Sequence, residues 1–130
     1  MIKPEWLYEP REDFIKRMKD EGHRVIIPED LESEYKESYL FIDIDTDEQY
    51  KDFIRRLDLC GEQLGISLEK EIISYSGLPH RHIYCRISMK VDDTQRVLLQ
   101  VLLGSDVVKE RMSFSRILKG IKNPVLFVEE

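Results

Sequence analysis

The stretch SYLFIDID, residues 38–45, has the clearest strand pattern in the sequence and ends in two carboxylates. Aromatic and β-branched residues followed by a polar stop predict a β-strand. Side chains alternate along a strand, so Phe41, Asp43 and Asp45 share one face of the sheet. The opposite face carries the apolar residues Leu40, Ile42 and Ile44. A bulky apolar residue would be expected where Asp43 lies, so the acidic pair calls for a chemical explanation.

The residues after this strand predict a helix over 47–65 and two further strands. The helix carries apolar residues at steps of three and four, with Thr46 or Asp47 as its N-cap and Gly65 at its end. KEIISYS, residues 70–76, and HIYCRIS, residues 82–88, predict strands joined by a turn that contains Gly and Pro. The apolar stripe of the helix consists of Tyr50, Phe53, Ile54, Leu57, Cys60 and Leu64.

A second helix is predicted over DDTQRVLLQVLLG, residues 92–104, with Asp92 or Asp93 as its cap and Gly104 at its end. Two later segments, FSRILKG at 114–120 and PVLFVEE at 124–130, can both form strands. The buried stripe of this helix is predicted to be Val97, Leu98, Val101 and Leu102.

The predicted order is β-α-β-β-α-β, an α+β fold of the ferredoxin-like type. Its antiparallel sheet places the first and third strands side by side, packs both helices on one face and leaves the other face open. Residues 38–130 form this core within a single domain. Residues 1–37 form an N-terminal appendage with a helix at 11–21, a strand at 23–30 and a polar connection at 31–37.

Composition narrows the class of protein. The chain has 130 residues and a net charge of −6, which argues against a protein that coats DNA non-specifically. No apolar run approaches the ~20 residues of a transmembrane helix, and no secretory signal begins the chain. Two cysteines without a CxxC motif, Cys60 and Cys85, are expected to be buried and reduced, and the expected compartment is the cytoplasm.

The predicted open face brings His82, Tyr84 and Arg86 beside the acidic strand. Carboxylates at positions i and i+2 lie roughly 6–7 Å apart and can bind one or two hard cations. Mg²⁺ or Mn²⁺ held by Asp43 and Asp45 would support phosphoryl or nucleotidyl transfer. In the turn before the third strand, Ser76 and Gly77 could hold a phosphate, and His82 and Arg86 could contact the same triphosphate.

Three other interpretations fit the same residues. The two aspartates can be a solvated strand end with a helix cap. His80 and His82 can be a transition-metal pair, joined by Cys60 or Cys85. Finally, an open sheet bearing Phe41 and Tyr84 can stack the bases of single-stranded nucleic acid.

These motifs resemble the archaeo-eukaryotic primase and primase-polymerase superfamily. YLFIDID is similar to the family's hydrophobic run that ends in D-h-D, and the resemblance implies that Asp43 and Asp45 are catalytic metal ligands. SYSGLPHRHIY is similar to its SG-x-H motif, which implies nucleotide binding by Ser76, Gly77 and His82, with His82 also part of the catalytic site. The family's core is an RRM-like sheet, in agreement with the predicted element order.

The segment LLGSDVVKERMSFSRILKGIKNP resembles the tail of small plasmid and phage members of that superfamily. The resemblance implies that Asp106 is a third metal ligand and that Arg111 and Arg116 contact phosphate. ILKGIKNP departs from the family's R-h-P-G-T turn, and Asp106 is predicted to lie in a loop. The resemblance covers roughly residues 38–119.

The leading hypothesis is a metal-dependent nucleotidyltransferase of the primase-polymerase type, active in nucleic-acid replication or repair. Its expected partners are a nucleoside triphosphate, a nucleic-acid template and a replication protein, with no membrane association. One alternative is a non-catalytic RRM-like module that binds a protein or single-stranded nucleic acid. The other is a metal-dependent nuclease that uses the same carboxylates.

Overall fold

The computed structural model describes residues 9–26, 39–73, 77–120 and 127–129. In these ranges the chain is an α+β protein, as predicted. Its elements are α1 (Arg11–Asp20), β1 (Arg24–Ile26), β2 (Tyr39–Ile44), α2 (Asp47–Leu64), β3 (Ile66–Ile73), β4 (Arg81–Ile87), α3 (Asp93–Leu102), α4 (Val107–Leu118) and β5 (Phe127–Glu129). None of the described helices is both long enough and apolar enough to cross a membrane.

Three of the strands form an antiparallel sheet in the order β2-β4-β3. The predicted adjacency of the first and third core strands is therefore confirmed. In the register of β2 and β4, Phe41 lies opposite Tyr84 and Asp43 lies opposite His82. Residues 74–76, at the end of the predicted second strand, fall outside the described ranges.

The strand predicted over FSRILKG is wrong, and the strand predicted over PVLFVEE does not join the main sheet. FSRILKG lies mainly in α4, whose buried residues Met112, Ser113 and Arg116 follow helical spacing. The end of PVLFVEE forms β5, but β5 pairs with β1, where Val128 lies opposite Val25. In the described part of the chain, no fourth strand joins the β2-β4-β3 sheet. The complete β-α-β-β-α-β sheet is thus not formed by these elements.

The main core lies between the sheet and α2, as the alternation in β2 and β4 predicts. Phe53 of α2 is fully buried there. Thr46 starts α2 with a capping box that includes Gln49, and Gly65 ends it in the left-handed region at φ 69°. The sheet contributes Leu40, Ile42, Ile44, Ile66, Ile83, Cys85 and Ile87 to this core.

The buried face of α3 differs from the predicted stripe. Val97 is buried, but Leu98 and Val101 are 59% and 52% exposed, and Leu102 is exposed as well. The helix instead buries Arg96, Val97 and Gln100. Both polar side chains bond to the backbone of β2, Arg96 through the carbonyl of Tyr39 and Gln100 through the N–H of Phe41. The rotation of this helix thus places Arg96 and Gln100 on the edge of β2, while Leu99 and Leu103 pack on the main core.

The second face of the sheet is covered, contrary to the prediction of an open face. Phe41 is 0% exposed, Tyr84 is 5% exposed, and His82 is buried. The rings of Phe41 and Tyr84 meet edge to face with centroids 5.6 Å apart, and Ile72 and the guanidinium of Arg96 flank them. Because neither ring is accessible, this face offers no stacking platform for bases.

The predicted helix at 11–21 and the predicted strand in 23–30 are both present, as α1 and β1. Phe14 and Met18 of α1 form a small cluster with Val25. The guanidinium of Arg116 in α4 lies 5.1 Å from the centre of the Phe14 ring, so α1 contacts α4. The predicted polar connection at 31–37 lies outside the described residues.

Candidate metal centre

Asp43 and Asp45 lie where β2 ends and α2 begins. Asp43 is the fifth residue of β2, with a side chain that is 22% exposed, and Asp45 follows the strand directly. The N–H of Asp45 donates to the side chain of Gln49 in the first turn of α2. The strand end and the capped helix therefore fix both carboxylates at one end of the sheet.

Asp106 meets these two carboxylates from the loop between α3 and α4. It is the N-cap of α4, where its carboxylate accepts from the N–H of Lys109 at 3.1 Å. Its own N–H donates to the carbonyl of Asp43 at 2.9 Å. Carboxylate oxygens of Asp43, Asp45 and Asp106 all lie within 4.8 Å of one another. The structure thus brings together the three residues predicted as metal ligands.

The pKa of Asp43 reflects its burial and the charged groups around it. Burial raises the pKa of Asp43 to about 7, and the ammonium of Lys109 works against the rise. The negative charges of Asp45, Asp106 and Glu110 are smaller contributions to the same rise in the pKa of Asp43. A proton on Asp43 relieves the repulsion, and a divalent cation would do so more effectively, since it would favour the ionised form.

The donor set suits a hard cation. It contains three carboxylates, and Mg²⁺ and Mn²⁺ prefer oxygen ligands. Among the described residues this is the one group of three ligating side chains close enough to share an ion. The transition-metal alternative, with His80, His82 and a cysteine, is not assembled. Both cysteines are free thiols, and burial raises the pKa of Cys85 to about 12.

Two histidines flank the carboxylates. His82 Nε2 lies 3.6 Å from an oxygen of Asp43, and His80 Nδ1 lies 3.2 Å from an oxygen of Asp45. From the sequence, His80 is assigned only to a transition-metal pair, and this contact with Asp45 is not predicted. The position of His80 just before β4, opposite the end of β2, was the signal that could have identified it.

The turn before β4 contains the predicted phosphate-binding residues. Gly77 has a φ of +83°, and its carbonyl accepts from the N–H of His80 at 3.0 Å. A Cβ at Gly77 would meet no atom of the described residues within 4 Å, so the backbone has open space on this side of the turn. Ser76, predicted for the same role, lies outside the described residues.

The three predicted arginines differ in their placement. Arg111 is exposed on α4. Arg116 is buried against Phe14, and burial lowers its pKa. Arg86 lies opposite Tyr39, four residues along β4 from His82, which corresponds to roughly 13 Å. Of the three arginines, Arg111 is the exposed one, and it is also the closest in sequence to Asp106.

Two residues that hold the third carboxylate in place are not predicted from the sequence. Ser105 accepts from the N–H of Asp43 at 3.0 Å, and Lys109 donates to the carbonyl of Phe41. Both residues belong to the GSDVVK segment, in which only Asp106 was identified. Their residue types alone do not predict a contact with β2. The prediction would require knowing that this edge of β2 is not paired with another described strand.

No family model, curated protein or solved structure matches this chain. The class of protein therefore rests on the fold and the site: an α+β domain that assembles three carboxylates at one end of an antiparallel sheet.

Proposed function

We propose that this protein is a metal-dependent nucleotidyltransferase of the primase-polymerase type. The observation that carries the proposal is the convergence of Asp43, Asp45 and Asp106, three acids from two distant parts of the chain. A capped strand end and a helix N-cap would each explain one acid. Neither explains why all three carboxylates face one another within 4.8 Å, where they repel unless a proton or a cation offsets their charge.

In this proposal Asp43, Asp45 and Asp106 hold Mg²⁺ or Mn²⁺. The metal supplies charge neutralisation for a triphosphate and for the attacking hydroxyl. His82 orients Asp43 through the contact between its Nε2 and the carboxylate. His80 does the same for Asp45, whose carboxylate lies 3.2 Å from His80 Nδ1.

The proposed triphosphate site extends from the carboxylates to the turn before β4. The backbone at Gly77 has the open space that close approach of a phosphate requires. Arg111 adds an exposed cation on α4. Arg86 and Arg116 have no role in this arrangement, since one lies far along β4 and the other is buried against α1.

A metal-dependent nuclease would use the same carboxylates and differ only in its product. The proposal favours transfer because the predicted motifs resemble those of the primase-polymerase superfamily. A nucleic-acid template and a replication protein are the partners that this activity would need.

A protein-binding module is the second candidate, and one observation favours it. Several apolar side chains of α3 and α4 are exposed, namely Leu98, Val101, Leu102, Val107, Val108, Phe114 and Leu118. Surfaces of this kind mark protein contacts in many structures. Binding of single-stranded nucleic acid through Phe41 and Tyr84 is not proposed, because both rings are buried.

The proposal is tested by nucleotide incorporation on a single-stranded template in the presence of Mn²⁺. Wild-type protein should extend or initiate a strand, and Asp43→Asn should abolish the product. Asp58→Asn, which removes an exposed carboxylate from α2, is the matched control and should retain activity. Degradation of the labelled strand would favour a nuclease, and undiminished synthesis by Asp43→Asn would refute the assigned site.

A further inference from the structure

The outer edge of β2 is bonded by side chains and a loop instead of a strand. The carbonyl of Tyr39 and both backbone groups of Phe41 and of Asp43 find partners between positions 96 and 109. Tyr39 and Phe41 bond to α3 and α4, and Asp43 bonds to the loop between them. The partners are Arg96, Gln100, Ser105, Asp106 and Lys109.

The buried carboxylate of Glu110 contacts two of these partners, Gln100 and Lys109. Its side chain is 2% exposed, and both of its oxygens accept from the amide nitrogen of Gln100, at 2.9 and 2.8 Å. That contact turns the amide oxygen of Gln100 toward the N–H of Phe41, 2.9 Å away. Lys109 Nζ lies 3.0 Å from Glu110 and donates to the carbonyl of Phe41.

The loop that carries the third carboxylate is attached to the same edge. Asp43 donates its N–H to Ser105 and accepts at its carbonyl from Asp106. The backbones of two proposed ligands, Asp43 and Asp106, are therefore joined by a hydrogen bond. No strand pairing fixes this loop among the described residues, so its place depends on how α3 and α4 meet β2.

Stability alone does not account for the buried charges. A buried ion pair such as Lys109 with Glu110 is often no more stabilising than apolar residues of similar volume. Its geometry, in contrast, is specific, because each bond has a direction and a length. A network of this kind is suited to holding a loop at a defined position.

We propose that Glu110, Gln100 and Lys109 form a positioning network for the third carboxylate. The network sets the separation of Asp106 from Asp43 and thereby the affinity of the site for its cation. This inference rests on the proposed metal site, and it assigns a function to residues that do not ligate the ion.

The test measures Mn²⁺ affinity by electron paramagnetic resonance, using Glu110→Gln and the charge-neutral change Gln100→Leu in the full chain. Each variant should weaken Mn²⁺ binding by about tenfold to a hundredfold, the range found for residues that orient metal ligands. Lys109→Arg keeps a cationic donor and should stay close to wild type. Two variants at different positions guard against one that fails to fold, and far-ultraviolet circular dichroism checks each of them.

Val97→Ala is the matched control, because it removes buried side-chain volume from α3 and no hydrogen bond of the network. It should leave Mn²⁺ affinity unchanged at a comparable loss of unfolding free energy. Wild-type affinity in both network variants would overturn the positioning role, as would equal weakening in Val97→Ala. If wild-type protein binds no Mn²⁺, the proposed metal site is wrong and the positioning role fails with it. If only the positioning role is wrong, wild-type protein still binds Mn²⁺, so the two failures are distinguishable.

Discussion

The backbone N–H of Asp106 donates to the carbonyl of Asp43 at 2.9 Å, which joins the start of α4 to the edge of β2. The side chains of the same two residues lie within 4.8 Å of each other and of Asp45. A single backbone contact thus connects the packing of α4 with the assembly of the acidic site. Changes at the end of α3 or the start of α4 should therefore act on the site.

Asp43 should make stability depend on pH in the metal-free protein. Its pKa is about 7 in the folded state, against about 3.9 for an exposed aspartate. Between these values the folded state binds more protons than the unfolded state, so the free energy of unfolding falls as pH rises. The contribution is complete below about pH 4 and is lost above about pH 7.

Urea unfolding of wild type and Asp43→Asn at several pH values measures this effect. Relative to the variant, wild-type protein should lose roughly 1–3 kcal/mol between pH 4 and 7.5, less than the full shift would give because Asp43 is partly exposed. The difference between the two proteins isolates Asp43 from other titrating groups. Parallel stability curves would show that Asp43 has an ordinary pKa.

Asp106 has two roles that different substitutions can separate. Asparagine is as good an N-cap as aspartate, so Asp106→Asn should keep the stability of α4 within about 0.5 kcal/mol. Alanine removes the cap, and Asp106→Ala should cost about 1 kcal/mol. Both variants should weaken Mn²⁺ binding, since both remove the charge. Full Mn²⁺ affinity in Asp106→Asn would remove Asp106 from the ligand set.

Arg111 and Arg116 should behave differently although both are arginines of α4. Arg111→Ala should weaken binding of a nucleoside triphosphate with Mn²⁺ by roughly tenfold, because an exposed cation is lost from the proposed phosphate site. Arg116→Ala should lower the free energy of unfolding by roughly 1–3 kcal/mol through lost packing on Phe14 and leave nucleotide affinity unchanged. Calorimetric titration and urea unfolding of both variants separate the two effects. The reverse pattern would exchange their roles.

Val97 and Leu98 test the rotation of α3. Val97 is buried, and Val97→Ala should cost roughly 1–3 kcal/mol. Leu98 is mostly exposed, and Leu98→Ala should change the free energy of unfolding by less than about 0.5 kcal/mol. A large loss in Leu98→Ala would restore the apolar stripe that the sequence predicts. It would also contradict the edge bonds made by Arg96 and Gln100.

Local signals in the sequence predicted the elements whose patterns are self-contained. The strands β2 and β4, the Thr46 cap and the helix end at Gly65 each depend on neighbouring residues, and each is present. The proximity of Asp43 to His82 followed from strand adjacency. These features needed only the periodicity of strands and helices and the order of the elements.

The errors came from contacts between distant segments. FSRILKG can form either a strand or a helix, and its buried contact between Arg116 and Phe14 depends on α1. The rotation of α3 places Arg96 and Gln100 against the outer edge of β2, a contact that local periodicity does not register. Asp106 was identified through a family resemblance, whereas Lys109 and Glu110 became visible only when the edge of β2 was known.

The most direct test of the central claim is calorimetric titration of Mn²⁺ into wild type, Asp45→Asn and the control Asp58→Asn near pH 7.5. Asp45 is chosen because its side chain is more exposed than that of Asp43, so its loss should disturb the fold least. The three-carboxylate site predicts saturable binding by wild type and Asp58→Asn, and at least tenfold weaker binding by Asp45→Asn. Equal binding by all three proteins, or no binding by wild type, would contradict it.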